Sequence, residues 1–231
     1  MIPIGRVYEL AKYPVKSMAG TILESAQLGF HGIEGDRRLA FRRLGDKSAF
    51  PWLSASRLPD LVRYRPVEPQ YTMVRTPAGR ELELRGAELQ NEIAGGFGSP
   101  VELMELKHGI FDDGAISVIS LATIAAIGRE AGLEIDRRRM RANIVLDTHS
   151  AEPFLEDQWI GGTLVFGEAA VSITLRDERC VMVNIDPDTG EKDARVMKAI
   201  VGLNDNYAGV YGTVVRSGAI EVGQPVTLVR A

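Results

Sequence analysis

The stretch GTLVFGEAAVSITLR (162–176) contains two runs in which apolar and polar residues alternate, separated by a turn that contains glycine. A period of two is typical of β-strands that bury one face, so both runs are predicted to be strands. CVMVNID (180–186) is predicted to be the strand that follows. Many short strands with frequent Gly and Pro favour an all-β or barrel-like body. The other predicted strands are IGRVYEL (4–10), TILESAQLGF (21–30), RLAFRRL (38–44), LVRYRPV (61–67), YTMVRT (71–76), RELELR (80–85), ANIVLD (142–147), YGTVV (211–215) and PVTLV (225–229).

Apolar residues at helical spacing are confined to a few segments. The clearest is SLATIAAIGREAG (120–132), where Ser120 is the predicted N-cap and Gly132 follows the last turn. ELQNEIAGGFG (88–98) and DARVMKAIVGL (193–203) are shorter predicted helices.

The composition is that of an ordinary globular protein, with 231 residues, 45% hydrophobic and 25% charged. It excludes a largely disordered, collagenous or coiled-coil chain. A run of about 18 apolar residues, which would predict a transmembrane helix, does not occur. The N-terminus lacks the apolar core of a signal peptide, so we expect a cytoplasmic protein without a membrane partner. The net charge of −4 argues against nucleic acid as a partner.

Two short segments are basic although the chain as a whole is acidic. DRRLAFRRLGDK (36–47) holds five basic and two acidic residues, and EIDRRRMR (134–141) holds four basic and two acidic residues. Together they suggest a bound anion of modest size. For either segment alone, solvated surface arginines are an equally good explanation.

Cys180 is the only cysteine, which excludes an internal disulfide and a cysteine-based zinc or iron–sulfur site. Arg176 and Arg179 precede it closely, and cations near a thiol favour the thiolate form. The alternative is a small buried apolar residue, the usual state of a lone cysteine. No histidine is close in sequence, so a Cys–His nucleophile is not indicated. A thiolate that binds a metal needs only an electropositive pocket.

Three polar motifs are candidates for holding the anion. In each, a cationic, hydroxyl or amide side chain follows a proline or glycine, or lies where a loop enters a predicted strand. A guanidinium fork and an amide aimed to one side suit a planar anion. Each motif alone could be ordinary surface. The candidates are Lys16 and Ser17 in YPVKSMAG (13–20), Arg37 in GDRRLAF (35–41), and Arg141 and Asn143 in MRANIVLD (140–147).

Taken in order, these motifs resemble those of MOSC-domain proteins, and nearly the whole chain is covered. The resemblance is to the two-part type that includes the mitochondrial amidoxime-reducing component and the YcbX-like bacterial proteins. It implies a mainly β fold with some α, in which a β-barrel core carries peripheral helices. A β-rich segment (1–110) would precede the MOSC domain (111–231). The matching segments are YPVKS (13–17), GDRRLAF (35–41), MRANIVLD (140–147), LEDQWIGG (155–162), RCVMVNIDPDTG (179–190) and GAIEVGQPVTLV (218–229).

The resemblance also implies a cofactor and a set of site residues. In the family, the signature cysteine binds molybdenum through its thiolate, which makes Cys180 the expected metal ligand and catalytic residue. The chain departs from the family pattern in four ways. Glu178 stands where the amidoxime-reducing type has serine, and Ala142 replaces a proline. Arg57 is displaced by one position, and the chain is shorter than its relatives near residues 104–115. The residues expected to hold the molybdenum cofactor (molybdopterin) are Lys16, Ser17, Arg37, Arg141, Asn143 and Arg179.

The activity implied is the two-electron reduction of small N-hydroxylated or N-oxide substrates at molybdenum. The sequence holds no haem, flavin or iron–sulfur motif, so electrons would come from a separate donor, a reductase or a ferredoxin-like protein. Two other functions stay open. The chain could carry the cofactor, or sulfur on Cys180, without turnover, or it could be a structural barrel with an inert cysteine.

Overall fold

The computed structural model describes residues 1–230 as strands β1–β16, helices α1–α3 and short 3-10 turns. The strands are β1 (Ile2–Lys12), β2 (Thr21–Leu23), β3 (Ser25–Gly29), β4 (Gly32–Ile33), β5 (Leu39–Arg43), β6 (Arg65–Val67), β7 (Met73–Arg75), β8 (Glu81–Glu83), β9 (Val101–Glu105), β10 (Ile116–Ser120), β11 (Ile144–Thr148), β12 (Thr163–Phe166), β13 (Ala169–Glu178), β14 (Tyr207–Arg216), β15 (Gly218–Glu221) and β16 (Pro225–Val229). The helices are α1 (Ala87–Phe97), α2 (Leu121–Ala131) and α3 (Arg195–Asn204). The 3-10 turns are Pro59–Arg63, Arg137–Met140, Leu155–Trp159 and Val181–Asn184.

Seven strands form a closed barrel in the order β11-β10-β14-β13-β12-β16-β1, and β1 pairs with β11 to close it. Strand β2 extends outward from β1. Neighbours are antiparallel except β10 and β11, which are parallel. Closure removes free sheet edges, and alternate apolar side chains fill the interior, including Val7, Leu164, Val171 and Val210. The predicted fold, mainly β with a barrel core and peripheral helices, is confirmed.

Two further apolar cores lie outside the barrel. The first 110 residues give β1 and β2 to the barrel sheet and also form most of a second core, in which Phe41, Leu53 and Leu89 are buried. The third core lies between α2, α3 and the outer face of the barrel, around Ile127 and Ile200. Where the boundary between the two segments runs stays a prediction.

The predicted helix 120–132 is confirmed, including both of its ends. Ser120 Oγ accepts a hydrogen bond from the Thr123 backbone N–H at 3.1 Å, and Gly132 ends the helix with φ of 63°. This is N-capping by serine and termination by a left-handed glycine. The predicted helices at 88–98 and 193–203 correspond to α1 and α3.

The prediction of a strand at 180–186 is wrong, because Val181–Asn184 is a 3-10 turn. Its apolar side chains pack into two different cores: Val183 faces α2 and α3, whereas Ile185 packs into the N-terminal core. A straight strand could not divide them in this way.

Strand prediction also failed elsewhere: β4, β9 and β15 were not predicted, and two further failures concern buried residues that do not alternate. In the predicted strand 61–67 the first part is the 3-10 turn Pro59–Arg63, since Leu61 and Val62 are both buried and do not alternate. Strand β10 was not predicted, because all five of its residues are buried and it therefore shows no alternation either.

Gly5 is required where β1 pairs with both β11 and β16. A Cβ at this position would lie 2.1 Å from the Asp147 carbonyl oxygen, and its φ is +154°. We expect Gly5→Ala to lower the free energy of unfolding by about 1–3 kcal/mol. The matched control is Gly95→Ala, an exposed α1 position with nothing within 4 Å, which should raise it by about 0.5–1 kcal/mol. Urea unfolding measures both, and equal effects would contradict this account of barrel closure.

Candidate functional site

A cleft with a volume of about 460 Å³ lies where residues from both segments of the chain meet. This volume is in the range of ordinary ligand sites. The residues of the predicted site that line it are Lys16, Ser17, Arg37, Arg141, Arg179 and Cys180.

Cys180 is exposed and borders this cleft, which confirms that it is not a sealed core residue. It follows the end of β13, and its carbonyl oxygen accepts the Val183 N–H at 3.2 Å, which starts the 3-10 turn. The turn replaces the predicted strand and places the thiol at the junction of two elements rather than within a sheet.

Arg179 is held rigidly next to Cys180. Its Nε donates to the Ala208 carbonyl at 2.7 Å, and its Nη1 donates to the Met140 carbonyl at 2.8 Å and lies 3.1 Å from an Asp177 oxygen. Its Nη2 is buried and has no hydrogen-bond partner among residues 1–230. Arg176, the other arginine before the cysteine, instead stacks on Tyr207 at 3.7 Å.

Arg37 is the most heavily bonded side chain in the site. Its Nη1 donates to Asp36 Oδ2 at 2.5 Å and to Asn143 Oδ1 at 3.1 Å, its Nη2 donates to the Arg141 carbonyl at 2.7 Å, and its Nε pairs with Asp112 Oδ2 at 2.7 Å. The Tyr13 ring lies 4.9 Å from the Arg37 guanidinium. Every nitrogen of Arg37 is thus held by the protein, so its orientation is fixed.

Arg141 is held less completely. Its Nη1 donates to the Met18 carbonyl at 2.7 Å, and its guanidinium lies 4.3 Å from the centre of the same Tyr13 ring. Its Nη2 is buried and unpartnered within the described chain. Arg141 therefore has a free donor, which Arg37 lacks.

Asn143 does not line the cleft, which differs from the expectation that it meets an anion directly. It is fully buried: its Oδ1 accepts from Arg37 Nη1 and from the Ser117 N–H, and its Nδ2 donates to the Ala11 carbonyl. The Asn143 side chain is hydrogen-bonded to both β1 and β10, the two neighbours of β11 in the barrel. Its polar atoms are therefore occupied by structural hydrogen bonds. Its place in the site is behind Arg37.

Lys16 and Ser17 lie on the turn after β1. Lys16 Nζ donates to the Phe111 carbonyl at 2.7 Å and lies 5.4 Å from the Phe50 ring. Ser17 is buried, with its Oγ 3.7 Å from Met182 Sδ. This weak contact leaves the hydroxyl available as a donor.

The backbone at three of these residues is in the left-handed region that favours glycine: φ is 68° at Ser17, 44° at Arg37 and 52° at Arg141. Such conformations are unfavourable for residues with a side chain and concentrate at functional sites. All three line the same cleft. Strain that recurs around one cavity supports a functional role for it.

The cations in the cleft are in an environment that disfavours their charge. Burial lowers the pKa of Lys16 and the pKa of Arg141, and the Arg37 charge lowers both further. Burial acts on Arg37 in the same direction, but the Asp36 and Asp112 carboxylates outweigh it and raise its pKa. A bound anion would relieve the penalty on Lys16 and Arg141.

Three acidic residues that line the cleft were not predicted from the sequence, and one of them, Asp113, is exposed. Asp112 lies in the polar stretch KHGIFDDGAI (107–116), which shows no strand or helix pattern, and Asp177 lies in a charged run before Cys180. Burial acts to raise the pKa of Asp112, but Arg37 and Lys16 outweigh it and hold that pKa below its ordinary value. The only available signal was the position of Asp177 three residues before the cysteine.

Comparison with known families settles which family has this fold and cleft. The model of the MOSC domain matches residues 105–227, more than half of the chain. The chain belongs to the MOSC domain family. The expected resemblance is therefore confirmed. Within residues 1–230, no helix is long and apolar enough to cross a membrane.

Relatives match this MOSC protein at low identity. Molybdenum cofactor sulfurase of Caenorhabditis briggsae is 26% identical over 122 residues, which cover 52% of this chain and 17% of the relative. Mitochondrial amidoxime reducing component 2 of Bos taurus is 27% identical over 128 residues, which cover 50% of this chain and 37% of the relative. The match thus spans well under half the length of these relatives.

Among solved structures, the YuaD protein from Bacillus subtilis has a similar fold, with a TM-score of 0.53 and 15% identity. The alignment covers 97% of this chain and 95% of YuaD. At this identity the likeness concerns the fold alone, but it extends over both segments of the chain.

The exposure of Cys180 predicts its behaviour towards thiol reagents. We expect one equivalent of iodoacetamide to label the folded protein at Cys180 without prior unfolding, since the thiol borders an open cleft. Mass spectrometry of the native protein measures the labelling, and Cys180→Ser is the blank. Labelling only in denaturant would contradict the geometry described above.

Proposed function

We propose that this MOSC protein binds the molybdenum cofactor in the cleft, with Cys180 as the thiolate ligand of the metal, and reduces N-hydroxylated or N-oxide substrates. The observation that carries the proposal is an exposed thiol on a cleft lined by two arginines, Arg141 and Arg179, each of which has a buried Nη2 without a hydrogen-bond partner within residues 1–230. Buried donors without partners are costly, and an anionic ligand would satisfy them.

The residues present fit an anionic, sulfur-rich cofactor. Lys16 and Arg141 carry charges that burial disfavours, and each is within a cleft large enough for a ligand of moderate size. A soft thiolate suits molybdenum. No group of three His, Cys, Asp or Glu side chains in the described chain could hold a metal. A metal at Cys180 would therefore take its other ligands from the cofactor.

The work divides between the cofactor and the protein. When bound, the cofactor supplies the two-electron redox chemistry. Arg141 and Lys16 would bind its anionic groups. Arg37 would hold Arg141 in place by its hydrogen bond to the Arg141 carbonyl, and Asn143 would hold Arg37. Cys180 would bind the metal where its exposed side chain borders the cleft. Electrons would come from a separate redox protein, and the substrate would be a small N-oxygenated molecule.

A second function is favoured by one observation. Cys180 is exposed and is not part of a disulfide. A thiol free in this way could carry sulfur, and one relative is a molybdenum cofactor sulfurase. In that case the chain would bind the cofactor or a persulfide sulfur on Cys180 without reducing any substrate.

Two variants separate metal ligation from cofactor retention. Cys180→Ser should abolish turnover per bound molybdenum, because a hard hydroxyl is a poor substitute for thiolate. Arg141→Ala should instead lower the amount of molybdenum retained by about 10- to 100-fold in affinity, since a charge-assisted contact contributes about 1.5–3 kcal/mol. The control is Arg75→Ala, which removes an exposed arginine on β7 that is ion-paired with Glu81 on β8.

The measurements are molybdenum per chain and reduction of an amidoxime with dithionite as the electron source, in protein made by a host that synthesises the cofactor. Wild-type turnover per molybdenum in Cys180→Ser would remove the cysteine from the reaction and leave the carrier function. Full molybdenum retention in Arg141→Ala would show that its free nitrogen does not meet the cofactor.

A further inference from the structure

Asp177 and Ser117 form a buried hydrogen-bonded pair on the wall of the cleft. Each is only 1% exposed, yet both line the cavity. Ser117 Oγ lies 2.9 Å from Asp177 Oδ2, and Arg179 Nη1 lies 3.1 Å from the same oxygen. Ser117 is on β10 and Asp177 is on β13, so the pair bridges two barrel strands that are both neighbours of β14.

The cofactor binding proposed above gives this pair no role, although Asp177 is also ion-paired with Arg179. Burial raises the pKa of Asp177 to about 6, although Arg179 and the Ser117 hydroxyl act to lower it. The other charged groups that face it are Asp112, which raises its pKa, and Arg37, which lowers it. Tyr211 on β14 also faces it, and burial raises the pKa of that phenol far above its ordinary value, so Tyr211 stays protonated.

We propose that Asp177 donates a proton, through the Ser117 hydroxyl, to the oxygen that leaves the substrate. This inference rests on the proposed reductase function. Reduction of an N–OH group consumes two electrons and two protons and yields N–H and water, as the N–O bond breaks. The electrons come from the separate redox protein through the cofactor. Asp177 supplies one proton, and solvent supplies the other and reprotonates the carboxylate.

The direction of transfer follows from the geometry. In its acid form Asp177 can donate its O–H to Ser117 Oγ, which then turns its own hydrogen towards the cavity that both residues line. A general acid works best when its pKa is near the operating pH, and Asp177 meets this condition more closely than an ordinary aspartate.

The other carboxylates of the cleft are less suited to this step. Asp112 is paired with Arg37, which together with Lys16 keeps it ionised. Glu178 is exposed, with Asn206 Nδ2 donating to its Oε1 at 3.3 Å. Asp113, which also lines the cleft, is exposed as well. Asp177 is therefore the one buried carboxyl on this wall with a raised pKa, at about 6.

The test uses Asp177→Asn and Ser117→Ala, with Glu156→Gln as the matched control. Glu156 is also a buried carboxyl with a raised pKa and a serine partner, Ser120 Oγ at 3.1 Å, but it does not line the cleft. The first readout is infrared titration of the cofactor-free protein. We expect a protonated-carboxyl band with a midpoint near pH 6, absent in Asp177→Asn and retained in Glu156→Gln.

The second readout is the pH profile of amidoxime reduction per bound molybdenum. Wild-type turnover should fall as the pH rises through 6, because Asp177 loses its proton. Asp177→Asn should lower turnover about 100-fold and remove this limb, and Ser117→Ala should lower it similarly while keeping the infrared band. Glu156→Gln should leave the profile unchanged.

Each failure has a distinct meaning. Unchanged turnover and an unchanged limb in Asp177→Asn overturn the proposal, as does an Asp177 carboxyl that does not titrate between about pH 5 and 7. If Asp177→Asn does not retain the cofactor, Ser117→Ala decides, and wild-type turnover in it overturns the relay. Wild-type protein that is loaded with molybdenum but inactive refutes the reductase function itself, while the infrared result stands.

Discussion

The hydrogen bonds of Arg37 are the constraint on which the rest of the site depends. This one guanidinium, in the N-terminal part of the chain, is hydrogen-bonded to Asn143 and to the Arg141 carbonyl and is ion-paired with Asp112, and all three partners lie within the residues that match the MOSC domain. It therefore fixes the two halves of the chain against each other at the cleft. Because each of its three nitrogens has a protein partner, Arg37 orients the surrounding residues, and the proposed anion binding is assigned to Arg141 and Lys16, whose surroundings disfavour their charge.

Three residues of the site, including Arg37, have an unfavourable backbone conformation. Ser17, Arg37 and Arg141 all have positive φ, which side chains disfavour. Ser17 follows the end of β1 by five residues and Arg141 precedes the start of β11 by three residues, and β1 and β11 are paired over Gly5 to Leu10. Closure of the barrel thus holds together the two turns that carry the side chains proposed to bind an anion.

Much of this could be predicted from the sequence, and the exceptions share a cause. Alternation identified β1, β12 and β13, and capping residues identified α2, because these elements each face one environment. The fully buried β10 shows no alternation, and the apolar residues of 181–185 serve two cores, so local pattern fails at both. For the site, the order of the family motifs predicted that Cys180, Lys16 and Arg141 share one pocket, and all three line the cleft. The burial of Asn143 could not be predicted in this way, because it depends on the long-range packing of β1, β10 and β11.

Asp112 and Asp177 show why the acidic half of the site could not be read from the sequence. Both are carboxyls on one cleft, yet the pKa of Asp112 is lowered and that of Asp177 is raised. The difference lies in their partners: Asp112 faces Arg37 and Lys16, while Asp177 is more completely buried and shares Arg179 with two backbone carbonyls. An arginine whose charge is already divided among other acceptors compensates a buried carboxylate less fully. One cleft therefore holds an ionised carboxylate that positions cations and a second carboxyl that is able to keep a proton.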